Sequence, residues 1–300
     1  MLAPGSSSES EDIVATNEPV RRASEIEEIT NLYVIHPVSN FLTPRFARLG
    51  IPPNAVSVAG MGFGVLAAFA YYHYRDLRWA VAGFLLMIAW HVMDGADGQL
   101  ARLTNAQSEL GKVLDGVCDY VTFIAVYVAL AASLAVSMGG RAWALAAAAG
   151  LFHAFQSAVY EAERQEYSYW GLDKASAKLA MPPAAGEASA PVTALHRLYV
   201  GAQLLVTGQA VAFHRSLVEA FAKAGPGAAE ALRERYRAIF APAVRRWSIL
   251  SANYRTIGIF IGAAIGRPDY FFLFEIFGFS VILLLLLAYQ RSRYRLFFGG

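Results

Sequence analysis

Four aspartates, Asp94, Asp97, Asp115 and Asp119, fall within 26 residues of a 300-residue chain. The first two are three residues apart and the last two are four apart. On a helix each spacing puts its pair on one face, so two adjoining helices would converge four carboxylates on one point. Carboxylate oxygens suit hard divalent cations such as Mg²⁺, Mn²⁺ or Ca²⁺. No His or Cys cluster competes with them. His91 lies one turn before Asp94 without a partner at ligand spacing, and it reads as a packed or hydrogen-bonded histidine. Cys118, the only cysteine, sits in an apolar run and reads as a packing residue. Gly95, Gly98 and Ala101 keep one helix face bare, so that a bulky ligand can approach the backbone. Arg102 adds a planar donor fork suited to phosphate. Together these residue types point to chemistry on a diphosphate clamped by divalent metal.

The elements that must position these residues are hydrophobic. The chain is 56% hydrophobic and only 16% charged, against about 25% charged in a soluble domain. An acidic side chain near a bilayer centre costs roughly 2.5–3.5 kcal/mol. Four uncompensated ones would cost about 10–14 kcal/mol on that scale, close to the whole stability of many domains, ~5–15 kcal/mol. Compensation is therefore required, and metal supplies it. A net charge of +2 and the lack of a basic, aromatic-interleaved stripe exclude nucleic acid as a partner. The expected fold is an all-α integral membrane protein of six transmembrane helices, with an N-terminal amphipathic surface helix and a long helical cytoplasmic loop between spans 4 and 5.

Residues 1–24 read as a disordered tail. Residues 25–160 hold an amphipathic stretch, interrupted by Pro37 and Pro44, followed by spans at 54–74, 79–93 continued into the aspartates, 113–138 and 142–160. Residues 161–246 are polar, with 11 of the 25 Lys+Arg. Within them 181–191 reads as a flexible linker, while 192–224 and 228–239 read as amphipathic helices, the stretch 195–213 resting on the bilayer. Residues 247–300 carry spans at 247–266 and 269–289 and a basic tail. Six spans put both ends on one side. Leaving the long loop aside, that side holds nine Lys+Arg against four opposite, which places the termini and the aspartates in the cytoplasm.

The pattern Asp94-x₂-Asp97-Gly98-x₂-Ala101-Arg102-x₈-Gly111-x₃-Asp115-x₃-Asp119 resembles, at every fixed position, the signature of the CDP-alcohol phosphotransferase family. The signature covers 26 residues, and six spans extend the likeness over most of the chain. The long loop departs from the short connection usual in the family. The resemblance implies a six-helix membrane enzyme, commonly a homodimer, that uses two divalent ions, Mg²⁺ or Mn²⁺, and displaces CMP from a CDP-linked donor with an alcohol hydroxyl. It implies Asp94, Asp97 and Asp115 as metal ligands and Asp119 as the last ligand and the general base. Gly98, Ala101 and Arg102 would hold the CDP moiety. Asn54, in a Pro-Asn resembling the family's at the first span, would join them. The expected location is the bacterial inner (cytoplasmic) membrane.

A polar stripe on the fourth span, His153, Gln156, Tyr160 and Arg164, together with Lys112 and Arg255, is the candidate acceptor pocket. Arg164 or Arg255 would hold a phosphate on the acceptor, and helix–helix hydrogen bonding is the other reading of the stripe. The favoured arrangement has CDP-diacylglycerol donating a phosphatidyl group to glycerol-3-phosphate, inositol, inositol phosphate or serine. The alternative has CDP-choline or CDP-ethanolamine donating to a lipid hydroxyl. A carboxylate-dependent transporter fits less well, because the acids sit at one end of their helices and no repeated halves are evident.

Overall fold

The computed structural model describes residues 24–174 and 210–299. The expected tail before residue 24, the linker at 181–191 and most of the amphipathic stretch 192–224 lie outside them. Every element among the described residues is helical. A 3₁₀ turn at Ser24–Ile26 and a π-helical stretch at Asn31–Ile35 lead into α1 (His36–Arg48). Then come α2 (Pro53–Tyr72), α3 (Leu77–Leu103), α4 (Glu109–Met138) and α5 (Gly140–Leu172). After the undescribed stretch follow α6 (Ala210–Lys223), α7 (Pro226–Trp247), α8 (Ala252–Ala264) and α9 (Pro268–Phe298), the last with a π-helical turn at Phe274–Gly278.

Local chemistry sets the boundaries. Pro53 starts α2 where its missing N–H costs nothing. The Asp76 carboxylate caps α3 by accepting from the Arg78 N–H at 2.9 Å, and the Ser108 hydroxyl caps α4 by accepting from Gly111 N–H at 3.0 Å. Gly139, at φ +59°, makes the tight turn between α4 and α5.

Among the described residues five helices, α2, α3, α4, α5 and α9, are long and apolar enough to cross a membrane. The segment expected as the fifth span, 247–266, is built differently. The chain breaks at Ser248–Leu250 and Ser251, and α8 that follows has 13 residues, about 20 Å of rise against a ~30 Å hydrocarbon core. The break brings Ser251 and Asn253 to hydrogen-bonding partners in the N-terminal segment, and an unbroken apolar span would not present them. From there α8 runs down beside α3. Thr256 meets His91 at 3.0 Å and Phe260 stacks on Phe84, so successive contacts fall further from the aspartates. α9 then returns, and Phe297 at its end is buried with Tyr236 and Phe240 of α7.

The bundle core joins Tyr71, Met87, Trp90, Val126, Tyr127, Leu130 and Phe272 with small residues such as Ala67, Ala80, Ala131 and Ala149. Small residues let helix backbones approach closely, which is how helices associate where lipid is as apolar as the side chains. Leu66, Phe69, Leu85, Leu284 and Leu285 remain exposed, as lipid-facing residues would. The expected surface helix packs as α1 against α3: Ser39 Oγ donates to the carbonyl of Val92 at 2.8 Å and Thr43 Oγ1 to Gln99 Oε1 at 3.1 Å. α5 continues unbroken through Tyr160 to Leu172. Its polar end packs with α6, α7 and the end of α9 around Tyr167, Phe213, Leu217 and Tyr236.

Candidate active site

The hairpin of α3 and α4 builds the site. The turn between them returns the chain so that the last turns of α3 face the first turns of α4. Asp94, Asp97 and Asp115 each offer a carboxylate oxygen, and these atoms lie within 4.8 Å of one another. An oxygen-only set of that size suits a hard divalent cation. Asp119 is one turn further along α4. It lines the same cavity as the other three but stands outside the converging group. Asp97 is buried and Oδ2 accepts a hydrogen bond from Ser57 Oγ of α2 at 2.5 Å. Sequence spacing gave no sign of Ser57, which lies 40 residues away on another helix.

The expected nucleotide residues are assembled around the carboxylates. Asn54, Gly98, Ala101 and Arg102 all line the cavity. The Arg102 guanidinium lies over Gly98, with Nη1 3.5 Å from where a Cβ would stand. Asn54 Oδ1 lies 3.4 Å from the corresponding point on Gly111, so α2 and α4 meet there through a bare backbone. Gly95 lines the cavity as expected, and it has a second role. A Cβ on it would come 2.9 Å from Ser39 Oγ, so its bareness lets α1 dock on α3. His91 bonds Thr256, as a hydrogen-bonded histidine should.

The cavity holds about 880 Å³ and is bounded by α2, α3, α4, α5, the N-terminal segment and the start of α8. Of the expected acceptor residues, Lys112, His153, Tyr160 and Arg164 line it. Lys112 pairs with Glu109 at 2.8 Å on exposed surface. His153 Nδ1 meets the Tyr127 hydroxyl at 3.1 Å, and the Tyr160 hydroxyl donates to Glu28 Oε1 at 3.3 Å. Arg164 is held by both oxygens of Glu161, each at 2.7 Å.

Gln156 and Arg255 are elsewhere. Both are fully buried and neither lines the cavity. Arg255 Nε donates to Glu275 Oε1 at 2.9 Å, Nη2 donates to Gln156 Oε1 at 2.9 Å, and Nη1 donates to the Leu250 carbonyl. Gln156 in turn donates to the Glu275 carbonyl at 3.1 Å. A carboxylate buried in the bundle needs a cation, and Glu275 claims Arg255 from the acceptor pocket.

The residues that sequence reasoning missed come from the N-terminal segment and the α8 break. Glu28 and Asn31 line the cavity with Ser251 and Asn253. Glu28 Oε2 accepts from Ser251 Oγ at 2.8 Å and from Asn253 Nδ2 at 2.5 Å. Contacts spanning more than 220 residues leave no periodic trace.

Residues 51–212, more than half of the chain, match the family described as CDP-alcohol phosphatidyltransferase. Among individual relatives, ethanolaminephosphotransferase 1 of Pongo abelii is 32% identical over 111 residues, covering 31% of this chain and 28% of its own length. Choline/ethanolaminephosphotransferase 2 of Arabidopsis thaliana is 34% identical over 94 residues, covering 29% and 24%. Phosphatidylinositol phosphate synthase of Mycobacteroides abscessus is 30% identical over 93 residues, covering 31% and 41%. The match therefore spans about a quarter of the length of the first two relatives. With the aspartates and Arg102 inside the matched segment and all of them around one cavity, this chain belongs to the CDP-alcohol phosphatidyltransferase family.

Proposed function

We propose that the protein is a metal-dependent transferase that moves a substituted phosphate from a CDP-linked donor to an alcohol and releases CMP. The observation that carries this reading is the convergence of Asp94, Asp97 and Asp115 within 4.8 Å, in the wall of the cavity that Asn54 and Arg102 also line. In the favoured arrangement CDP-diacylglycerol is the donor and a small polar alcohol the acceptor, in keeping with a cavity polar at one end and bordered by lipid-facing helices. The alcohol oxygen attacks the distal phosphorus of the diphosphate. A phosphoester bond forms, the anhydride bond breaks, and CMP leaves with the bridging oxygen.

Asp119, one turn beyond Asp115, takes the hydroxyl proton as general base. Arg102 and Asn54 hold the nucleotide end, with Gly98 and Ala101 leaving room for it. Asp94, Asp97 and Asp115, completed by Asp119, would hold two Mg²⁺ or Mn²⁺ ions, which when bound neutralise the diphosphate and the charge growing on the departing CMP. The enzyme works as a homodimer in the bacterial inner membrane with this site facing the cytoplasm, a reading that rests on family resemblance and on the excess of Lys+Arg on that side. A second arrangement, CDP-choline or CDP-ethanolamine donating to a lipid hydroxyl, is supported by the ethanolamine and choline/ethanolamine phosphotransferases among the relatives.

The test is CMP release by purified protein in lipid vesicles. Release should depend on added Mg²⁺ or Mn²⁺, stop with excess chelator and disappear in Asp115→Asn. Full turnover in chelator would reject the metal-dependent reading.

A further inference from the structure

α9 leaves the bilayer beside the end of α7, and arginines of both helices meet there. About 20 residues of helix cross a ~30 Å hydrocarbon core, so a span that starts at Pro268 reaches the opposite headgroups near Tyr289. Trp247, the last residue of α7, is buried with Leu283 and Leu286 of α9, which sets Arg246 beside that exit. The Arg246 guanidinium lies 4.3 Å from the centre of the Tyr289 ring, and the Arg293 guanidinium lies 4.5 Å from the same point. Two like charges share one aromatic ring. Arg246 is exposed. Arg293 is half-buried, and its Nε has no hydrogen-bond partner among the described residues. No acidic residue occurs between Glu234 and Asp269, or after Glu275. On the neighbouring α5, Glu163 accepts from Gln290 at 2.8 Å on the buried side of α9, and Glu166 lies 2.7 Å from His214.

Below the ring the surface of α9 is apolar. Val281, Leu285, Tyr289 and Arg293 follow one another at four-residue steps, which makes them one row along the helix. Val281 and Leu285 are exposed at bilayer depth. Tyr289 stands at the bilayer edge, where rings with a polar tip settle, and Arg293 lies beyond it. An apolar lane, an interfacial ring and a pair of guanidinium groups match a phospholipid read from acyl chain to phosphate. Guanidinium forks pair with phosphate oxygens two at a time. Arginines that only fix topology need to lie on one side of the membrane. They gain nothing by converging on one ring from two helices, where their repulsion opposes the packing. A phosphate between them reverses that repulsion. Neither the row nor the last turns of α7 holds a carboxylate to receive an ammonium group, so a headgroup of net negative charge fits better than a zwitterionic one.

We propose that Arg246 and Arg293 clamp the phosphate of an anionic membrane phospholipid whose acyl chain lies along Val281 and Leu285. Neither arginine lines the cavity that holds the aspartates. The lipid therefore ties α7 to α9 whatever reaction that cavity supports.

The experiment reads the thermal midpoint of the full chain in detergent. It is measured before and after adding phosphatidylglycerol, phosphatidylcholine with the same acyl chains, or inorganic phosphate. Saturating phosphatidylglycerol should raise the midpoint by roughly 5 °C, and the other two by much less. Arg246→Gln combined with Arg293→Gln should lose most of that rise. Arg291→Gln combined with Arg295→Gln removes the same charge from the same end of the molecule but spares the ring, and should keep it. Where the first pair fails to fold, Arg246→Gln alone, at an exposed side chain, should lose about half of the rise. An equal loss in both double variants would overturn the clamp and leave only a basic surface. An equal rise with phosphatidylcholine would overturn the preference for an anionic headgroup. An equal rise with inorganic phosphate would overturn the lipid as the source of the phosphate, and no rise with any of the three would overturn the site altogether.

Discussion

Ser57 reaches Asp97 from α2, while Asp94 shares a helix with Asp97 and Asp115 comes from α4. A hydroxyl bonded to a carboxylate fixes which oxygen is turned toward the other carboxylates. Outer contacts of this kind are worth 10–100-fold in metal affinity. Ser57→Ala should therefore raise the Mg²⁺ concentration giving half-maximal CMP release by about that factor, with little change in the rate at saturating Mg²⁺. An unchanged Mg²⁺ requirement would mean that Ser57 serves only α2–α3 packing. Spacing alone pointed to four converging aspartates, because three- and four-residue steps fix helix faces, and three of them converge while Asp119 stands one turn off in the same cavity. Ser57 was not, since a lone serine in an apolar span has the same appearance whether it faces lipid, a helix or a carboxylate.

Arg255, Glu275 and Gln156 tie α8, α9 and α5 together with no exposure to solvent. Breaking a buried ion pair by removing one partner costs about 3–5 kcal/mol because the other charge is stranded. Arg255→Met alone, or Glu275→Leu alone, should lower the thermal midpoint of the detergent-solubilised protein sharply. The pair Arg255→Met with Glu275→Leu should recover most of the loss, with acceptor KM near the parent's. A single variant as stable as the parent would show that the pair is not the tie. The same polar network was visible in the sequence as a stripe of polar residues on the fourth span, but a stripe does not say which neighbour it faces. Glu275, 20 residues beyond Arg255 and on the next helix, decided that. At α8 the sequence suggested a full span because 247–266 is apolar. Ser251 and Asn253 broke it by satisfying Glu28 instead.

On the scale of the whole molecule, α3, α5 and α9 all end, and α2, α4 and α8 all begin, on the side that carries the aspartates. Among the described residues outside α6 and α7, Arg45, Arg48, Arg102, Lys112, Arg291, Arg293 and Arg295 lie on that side, against Arg75, Arg78, Arg141 and Arg267 on the other, so it should face the cytoplasm. In a Cys118→Ala background, a membrane-impermeant thiol reagent added to sealed right-side-out vesicles should spare Glu109→Cys and Arg291→Cys and label Arg75→Cys and Arg141→Cys. The reverse pattern would invert the topology. α6 and α7 pack on the polar end of α5 and on the end of α9 through Phe213, Tyr236, Phe240 and Phe297, so the family's usual short connection is replaced here by helices with an aromatic core.

The sequence by itself determined the membrane-helical class and the meeting of the aspartates beside Gly98 and Arg102, because each rests on local spacing or composition. Asp94, Asp97, Gly98, Arg102, Gly111 and Asp115 are neighbours along one hairpin, and helical geometry brings them together without further information. Only the tertiary structure decided the other end of the cavity. It placed Arg255 and Gln156 inside the bundle, set Gly95 against Ser39 of α1, and brought Glu28 against Ser251 and Asn253. These are contacts between segments 50 to more than 220 residues apart. Which charge is left facing the substrate depends on how they pair, and pairing is settled by packing rather than by sequence periodicity.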